Sequence, residues 1–93
     1  NENQIPSDYS LSQNYPNPFN PGTKISFSLP KASFVKMVVY DVTGKEVKVL
    51  VSEHMNAGSH DIDFNASDFT SGVYFYRISA DGFTDTKKMI LTK

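Results

Sequence analysis

Cysteine and tryptophan are both absent from the 93 residues of this chain. Without thiols, stability has to come from apolar packing and backbone hydrogen bonds, and neither a disulfide framework nor a thiolate metal site can form. An excess of either charge is lacking too, since nine lysines and arginines stand against ten aspartates and glutamates, a formal net charge of -1. No basic block reaches the density that a phosphate backbone demands, so nucleic acid is not an expected partner. Uninterrupted apolar runs are only a few residues long, far short of the ~20 that a membrane-spanning helix requires. No charged-then-apolar leader precedes the first strand either, so no transmembrane segment is expected. Helical periodicity is missing as well.

What the sequence does contain is aromatic and β-branched residues in short runs between turn signals. The longest is Gly72-Val73-Tyr74-Phe75-Tyr76-Arg77-Ile78-Ser79-Ala80, opened by Ser71-Gly72 and closed by Asp81-Gly82. Strand alternation puts Tyr74, Tyr76 and Ile78 on one face and Val73, Phe75 and Arg77 on the other. An aromatic on each face predicts a central strand. Asp81-Gly82 favours the positive φ of a two-residue hairpin turn, so residues 83–93 should return antiparallel to it.

In chain order, residues 1–10 are polar, carry Pro6 and read as a linker end from an upstream domain, expected because the chain begins at Asn1. The domain proper is residues 11–93, and a chain of this size buries roughly 60–65% of its unfolded surface. Pro16, Pro18 and Pro21 forbid a helix or central strand, so residues 11–15 should form an edge strand followed by a stiff turn. Tyr15 and Phe19 would pack over one end of the core. Residues 23–29 alternate, with Ile25, Phe27 and Leu29 inward, and Pro30 ends that strand. Residues 35–40 follow with Val35, Met37 and Val39 inward. Asp41 and Gly44 then supply the first and fourth positions of a type I turn. The return strand over 45–52 loses alternation between Val47 and Leu50, which predicts a bulge. Residues 55–59 read as a loop, and 60–64 as a strand with Ile62 and Phe64 inward. One helical turn is expected within 65–70. Seven short strands with turn signals about every 8–12 residues predict an all-β fold, a seven-stranded antiparallel immunoglobulin-like β-sandwich.

Catalytic chemistry is thinly represented. Only His54 and His60 titrate near neutrality, and the sequence puts no serine or cysteine nucleophile beside either. His60 shares parity with Ile62 and Phe64 and reads as a half-buried strand residue. Asp61, Asp63 and Asn65 imitate the first three ligands of a calcium loop, but Ala66 stands where its glycine is required and Gly72 where its bidentate acid is required. No catalytic, cofactor-binding or metal residues are therefore assigned, and a non-enzyme is expected. Glu53, Asp61, Asp63 and Asp68 make the middle acidic, while Arg77, Lys87, Lys88 and Lys93 make the end basic. On opposite faces these groups would orient a partner. Phe75 is the unresolved aromatic, either an exposed anchor beside Arg77 or a ring covered by residues 14–19.

The order Tyr15-Pro16-Asn17-Pro18-Phe19-Asn20-Pro21, Thr23-Lys24-Ile25-Ser26-Phe27, Val39-Tyr40-Asp41-Val42-Thr43-Gly44, Ala57-Gly58-Ser59-His60, Ser71-Gly72-Val73-Tyr74-Phe75-Tyr76 and Lys87-Lys88-Met89-Ile90-Leu91 resembles the type A C-terminal sorting domain of type IX secretion cargo in Bacteroidetes and related bacteria. More loosely, it is similar to the immunoglobulin-like domain of the flagellar hook-capping protein. Two departures touch packing: Phe64 stands where the family often has tryptophan, and Asn65-Ala66 replaces an Asp-Gly turn. The resemblance implies a non-enzymatic secretion signal and surface-anchoring module, secreted or held at the cell surface. Its implied partners are the translocon, shuttle and sortase proteins of the outer membrane, the sortase removing the module. The partner-binding residues it implies are Ser71, Gly72, Val73, Tyr74 and Phe75, with Lys87, Lys88, Met89, Ile90 and Leu91. Arg77 joins them as a rigidly held neighbour. Two alternatives stand beside it: a carbohydrate-binding accessory domain of a secreted hydrolase, with Tyr15, Phe19 and Phe75 as stacking platforms, and a structural spacer or assembly domain.

Overall fold

A computed structural model describes residues 5–93. Seven strands follow one another as β1 (Ser10–Leu11), β2 (Gly22–Leu29), β3 (Ser33–Tyr40), β4 (Glu46–Met55), β5 (Gly58–Asn65), β6 (Gly72–Ala80) and β7 (Phe83–Leu91). They form a three-stranded sheet ordered β1-β2-β5 and a four-stranded sheet ordered β4-β3-β6-β7, with every pairing antiparallel. This is the expected immunoglobulin-like sandwich, in which the chain changes sheets after β2, β4 and β5. The central position of β6 and its hairpin with β7 are as the sequence predicts. Asp81 (φ 48) and Gly82 (φ 87) supply the left-handed turn that joins Ala80 to Phe83.

Alternation builds the core. Ile25 and Leu29 from β2, Val35, Met37 and Val39 from β3, and Tyr76 and Ile78 from β6 are all fully buried between the sheets. Fully burying one such aliphatic side chain contributes about 1.5–3 kcal/mol, so these few positions dominate what a small core can supply. On β4 the expected bulge is two bulges. Met37 pairs with Val51 and Val38 with Val49, leaving Leu50 extra; Val39 pairs with Lys48 and Tyr40 with Glu46, leaving Val47 extra. Both extra residues pack against the core, which is why apolar side chains occur there out of phase.

Four expectations change at the edges and connections. Pairing of the edge segment with β2 breaks after Leu11↔Phe27 and resumes only at Tyr15↔Lys24, so four steps on one side oppose three on the other. That bulge turns Asn14 inward and Tyr15 outward. Phe19 is buried as expected, but Tyr15 is 81% exposed and packs over no part of the core. The loop expected at 55–59 shrinks to Asn56 and Ala57, because Gly58 (φ 132) lets β5 start at once. Residues 66–69 hold one hydrogen-bonded turn, Phe69 N–H to the Ala66 carbonyl at 3.0 Å, with no helix. Of the linker-end residues 1–10, residues 1–4 lie outside the described residues. Tyr9 stacks on Phe83 with ring centroids 5.3 Å apart, and Ser10 opens β1.

Candidate functional site

The two terminal motifs meet in register. Gly72 pairs with Leu91, Val73 with Ile90, Tyr74 with Met89, Phe75 with Lys88, Tyr76 with Lys87 and Arg77 with Thr86. Segments separated in sequence by the hairpin turn are thus direct cross-strand partners, the contacts through which a sheet stabilises itself. Alternation then divides them. Tyr74, Met89 and Leu91 are buried, and Lys87 is half-buried on the same parity. Val73, Phe75, Arg77, Lys88 and Ile90 take the opposite parity, on the outer face of the four-stranded sheet, half-buried or exposed. Ser71 and Gly72 are exposed at its rim.

β3 completes that face. Tyr40 lies beside Phe75 and Val38 beside Arg77. One row of neighbours therefore runs Glu46, Tyr40, Phe75, Lys88, and the next runs Val49, Val38, Arg77, Thr86. The turn after β3 closes one end. Asp41 Oδ1 accepts from the Thr43 N–H at 2.9 Å, the Thr43 hydroxyl at 2.6 Å and the Lys45 N–H at 3.1 Å. These bonds, the Thr43 hydroxyl first among them, hold the Asp41 carboxyl below its usual range. The turn is therefore rigid, and two grooves flank it. One of about 310 Å³ is lined by Tyr40, Asp41, Val42, Gly44, Phe75, Arg77 and Thr86. The other, of about 190 Å³, is lined by Asp41, Val42, Thr70, Ser71, Gly72, Val73 and Tyr74. Val42 lines both and is 66% exposed, an apolar side chain standing free on an otherwise polar turn.

The sequence matches the family model described as "Secretion system C-terminal sorting domain" over residues 13–92. The chain belongs to that family. No curated protein matches it. As a sorting domain of this family it carries a type IX secretion signal, interacts with that secretion machinery and is exported to the cell surface or beyond. Among the described residues no helix is long and apolar enough to cross a membrane.

Within the sorting domain, Tyr40, Asp41 and Val42 were not picked out as site residues from sequence. They stand more than 30 positions before Phe75 and reach it only through the β3–β6 pairing. The outward parity of Tyr40 with Val38 was the available signal. Phe75 is half-buried, with Tyr40 and Lys88 as its cross-strand neighbours, whereas Tyr15 bridges to β2 and Asn17 and Phe19 lie at the free edge of β7. The acidic and basic groups separate by sheet only in part: Asp61 and Asp63 are exposed on β5, and Arg77 and Lys88 on the outer side of β6 and β7, but Glu53 lies on β4 in the same sheet as Arg77, and Lys24 is the cross-strand partner of Asp63. His60 is half-buried, stacked on Phe27 at 5.5 Å, with Nε2 2.8 Å from the Asn56 carbonyl. His54 packs edge-on against Phe34 at 5.4 Å. Among the described residues neither imidazole is hydrogen-bonded to a serine, threonine or carboxylate.

Proposed function

We propose that the sorting domain is read as a folded surface, and that the surface is the outer face of the four-stranded sheet around Phe75 and Arg77. The observation that carries this reading is the register pairing of the 72–76 and 87–91 motifs, whose outward residues fall on one face while their inward residues hold the hairpin to the core. Val73, Phe75 and Ile90 offer half-buried apolar area, and Arg77 and Lys88 flank it with cations, the combination that anchors interfaces. Because strands fix these side chains, a receptor spends little free energy ordering them. In this reading the translocon, its shuttle and a sortase are successive partners, the domain confers no catalysis, and the sortase removes it when the upstream cargo is anchored.

The test is fusion of residues 1–93 to a passenger in a host that has the type IX machinery. Export is expected, with the domain cut from the surface-anchored passenger. Deleting residues 83–93 should abolish export, and so should Phe75→Glu in a domain whose circular dichroism and melting cooperativity stay native. Undiminished export by both variants would refute the reading.

A further inference from the structure

We propose that the outer face of the three-stranded sheet, opposite the face just described, binds a neutral pyranose oligosaccharide, with Tyr15 as the stacking platform and Lys24, Asp63 and Asn65 as the hydrogen-bonding rim. Tyr15 exposes 81% of its surface, yet its backbone is fixed. Its N–H donates to the Lys24 carbonyl at 2.9 Å and its carbonyl accepts from the Lys24 N–H at 3.0 Å. An aromatic ring on an anchored backbone is pre-organised, so stacking a ligand on it costs little conformational entropy. Both backbone groups being engaged, Tyr15 is not a point at which another strand can add to the sheet.

The same pairing continues across the sheet. Lys24 is the Cα partner of Asp63, and Gly22 of Asn65, so Tyr15, Lys24 and Asp63 form one row, running from the bridge residue across β2 and β5. With Gly22, Thr23, Pro16 and Phe64 they line an open groove of about 480 Å³, in the size range of small-molecule sites. Lys24 and Asp63 carry opposite charges, and among the described residues the one ion pair within 4.0 Å is Lys31 with Asp81. Both polar heads are thus free for a ligand, and their charges cancel, which suits a neutral polyol better than a phosphate or an acidic peptide. Asn65 Oδ1 accepts from the Ser67 N–H at 2.9 Å, which orients the side chain and leaves its amide N–H groups to donate.

Gly22 supplies the independent observation. Of the five glycines it alone lacks a positive φ. A Cβ built on it meets nothing nearer than the Phe64 carbonyl at 3.8 Å, an ordinary contact. Neither backbone conformation nor packing requires glycine there. What the missing side chain does is leave the groove floor open between Lys24 and Asn65.

The experiment is a ¹⁵N-edited NMR titration of the whole chain with cellohexaose and, separately, maltohexaose. Saturable shifts of the Gly22, Lys24 and Asn65 amides with either sugar are expected, with Kd in the range of about 1 mM or below. Tyr15→Ala and Gly22→Ala should each weaken binding at least about tenfold while their spectra stay native elsewhere, and Tyr15→Phe should retain it, since the ring and not the hydroxyl is the platform. No saturable shift with either sugar, or shifts that survive Tyr15→Ala, would overturn the proposal. Export of a fused passenger is a separate readout, so failure of the sugar site and failure of the sorting face are distinguishable.

Discussion

The Tyr76 hydroxyl donates to the Ser12 carbonyl and accepts from the Asn14 N–H, both at 2.7 Å. It thereby satisfies the two backbone groups that the edge bulge takes out of the β1–β2 ladder, from a strand in the opposite sheet. Burial pushes this phenol up to about 12, against the Asn14 hydrogen bond, which lowers it. An acid whose folded pKa is raised binds its proton more tightly when folded. Stability is then independent of this group below the unfolded value near 10. It falls by up to about 1.4 kcal/mol per pH unit as pH rises between that value and the folded one. Tyr76→Phe should cost about 1–3 kcal/mol at neutral pH by leaving both partners unpaired, and should flatten that alkaline fall. Denaturant midpoints of both proteins from neutral to alkaline pH measure the difference, and equal slopes would contradict the assignment.

β7 is an edge strand, and Gln13, Asn17 and Phe19 occupy its free side. Ile90 N–H donates to Asn17 Oδ1 at 3.0 Å, the Ile90 carbonyl accepts from the Phe19 N–H at 2.9 Å, and Gln13 Nε2 donates to the Lys88 carbonyl at 2.6 Å. Thr86 N–H is taken by the side chain of Asp85 at 2.9 Å. Groups that would otherwise template pairing with another chain are thus engaged. Asn17→Ala should cost about 1 kcal/mol and speed amide exchange at Ile90 far more than at Val39 in the core. Light scattering at high concentration should show more dimer than the parent protein does.

The β3–β4 turn makes an acid-side prediction. Asp41 is held below the usual carboxylate range chiefly by the Thr43 hydroxyl bond, then by the Lys45 N–H. A depressed folded pKa contributes stability above the unfolded value and loses it as pH falls through the folded one. Asp41→Ala should therefore lower the melting temperature at neutral pH, with the gap to the parent closing in strong acid. Paired thermal melts at the two pH values check this.

How much of this was legible beforehand depends on whether the cause is local. Strict alternation identifies Ile25 and Phe27 of β2 as inward and puts Tyr74 and Tyr76 of β6 on one face, because period two follows from backbone geometry alone. A bulge on β4 also showed, since Val47 and Leu50 break that period, but not that there are two. Asn14 and Tyr15 did not. Their sides are exchanged by a bulge whose buried member is polar, stabilised through Thr23, Pro16 and Tyr76, partners that only the folded chain brings near. The site divides in the same way. The hairpin register follows from a two-residue turn, whereas the meeting of Phe75 with Tyr40 and the Asp41 turn depends on β3 lying beside β6.

Separating recognition from stability decides whether the terminal motifs act as a surface or as a core. Arg77 is exposed on the outer face, so Arg77→Glu should change stability by no more than about 0.5 kcal/mol. Met89 is fully buried one strand away, and Met89→Ala should cost about 2–5 kcal/mol. If the machinery reads the folded face, export of a fused passenger should drop sharply with Arg77→Glu although the domain stays folded. It should drop with Met89→Ala only in proportion to the unfolded fraction, and a second-site stabilising change should restore it. Were an unfolded segment the signal, the order would reverse, because Met89→Ala raises the unfolded population and Arg77→Glu does not. Measuring export and the denaturant midpoint on the same two variants distinguishes these outcomes, since both residues lie in the paired hairpin, one facing outward and the other into the core.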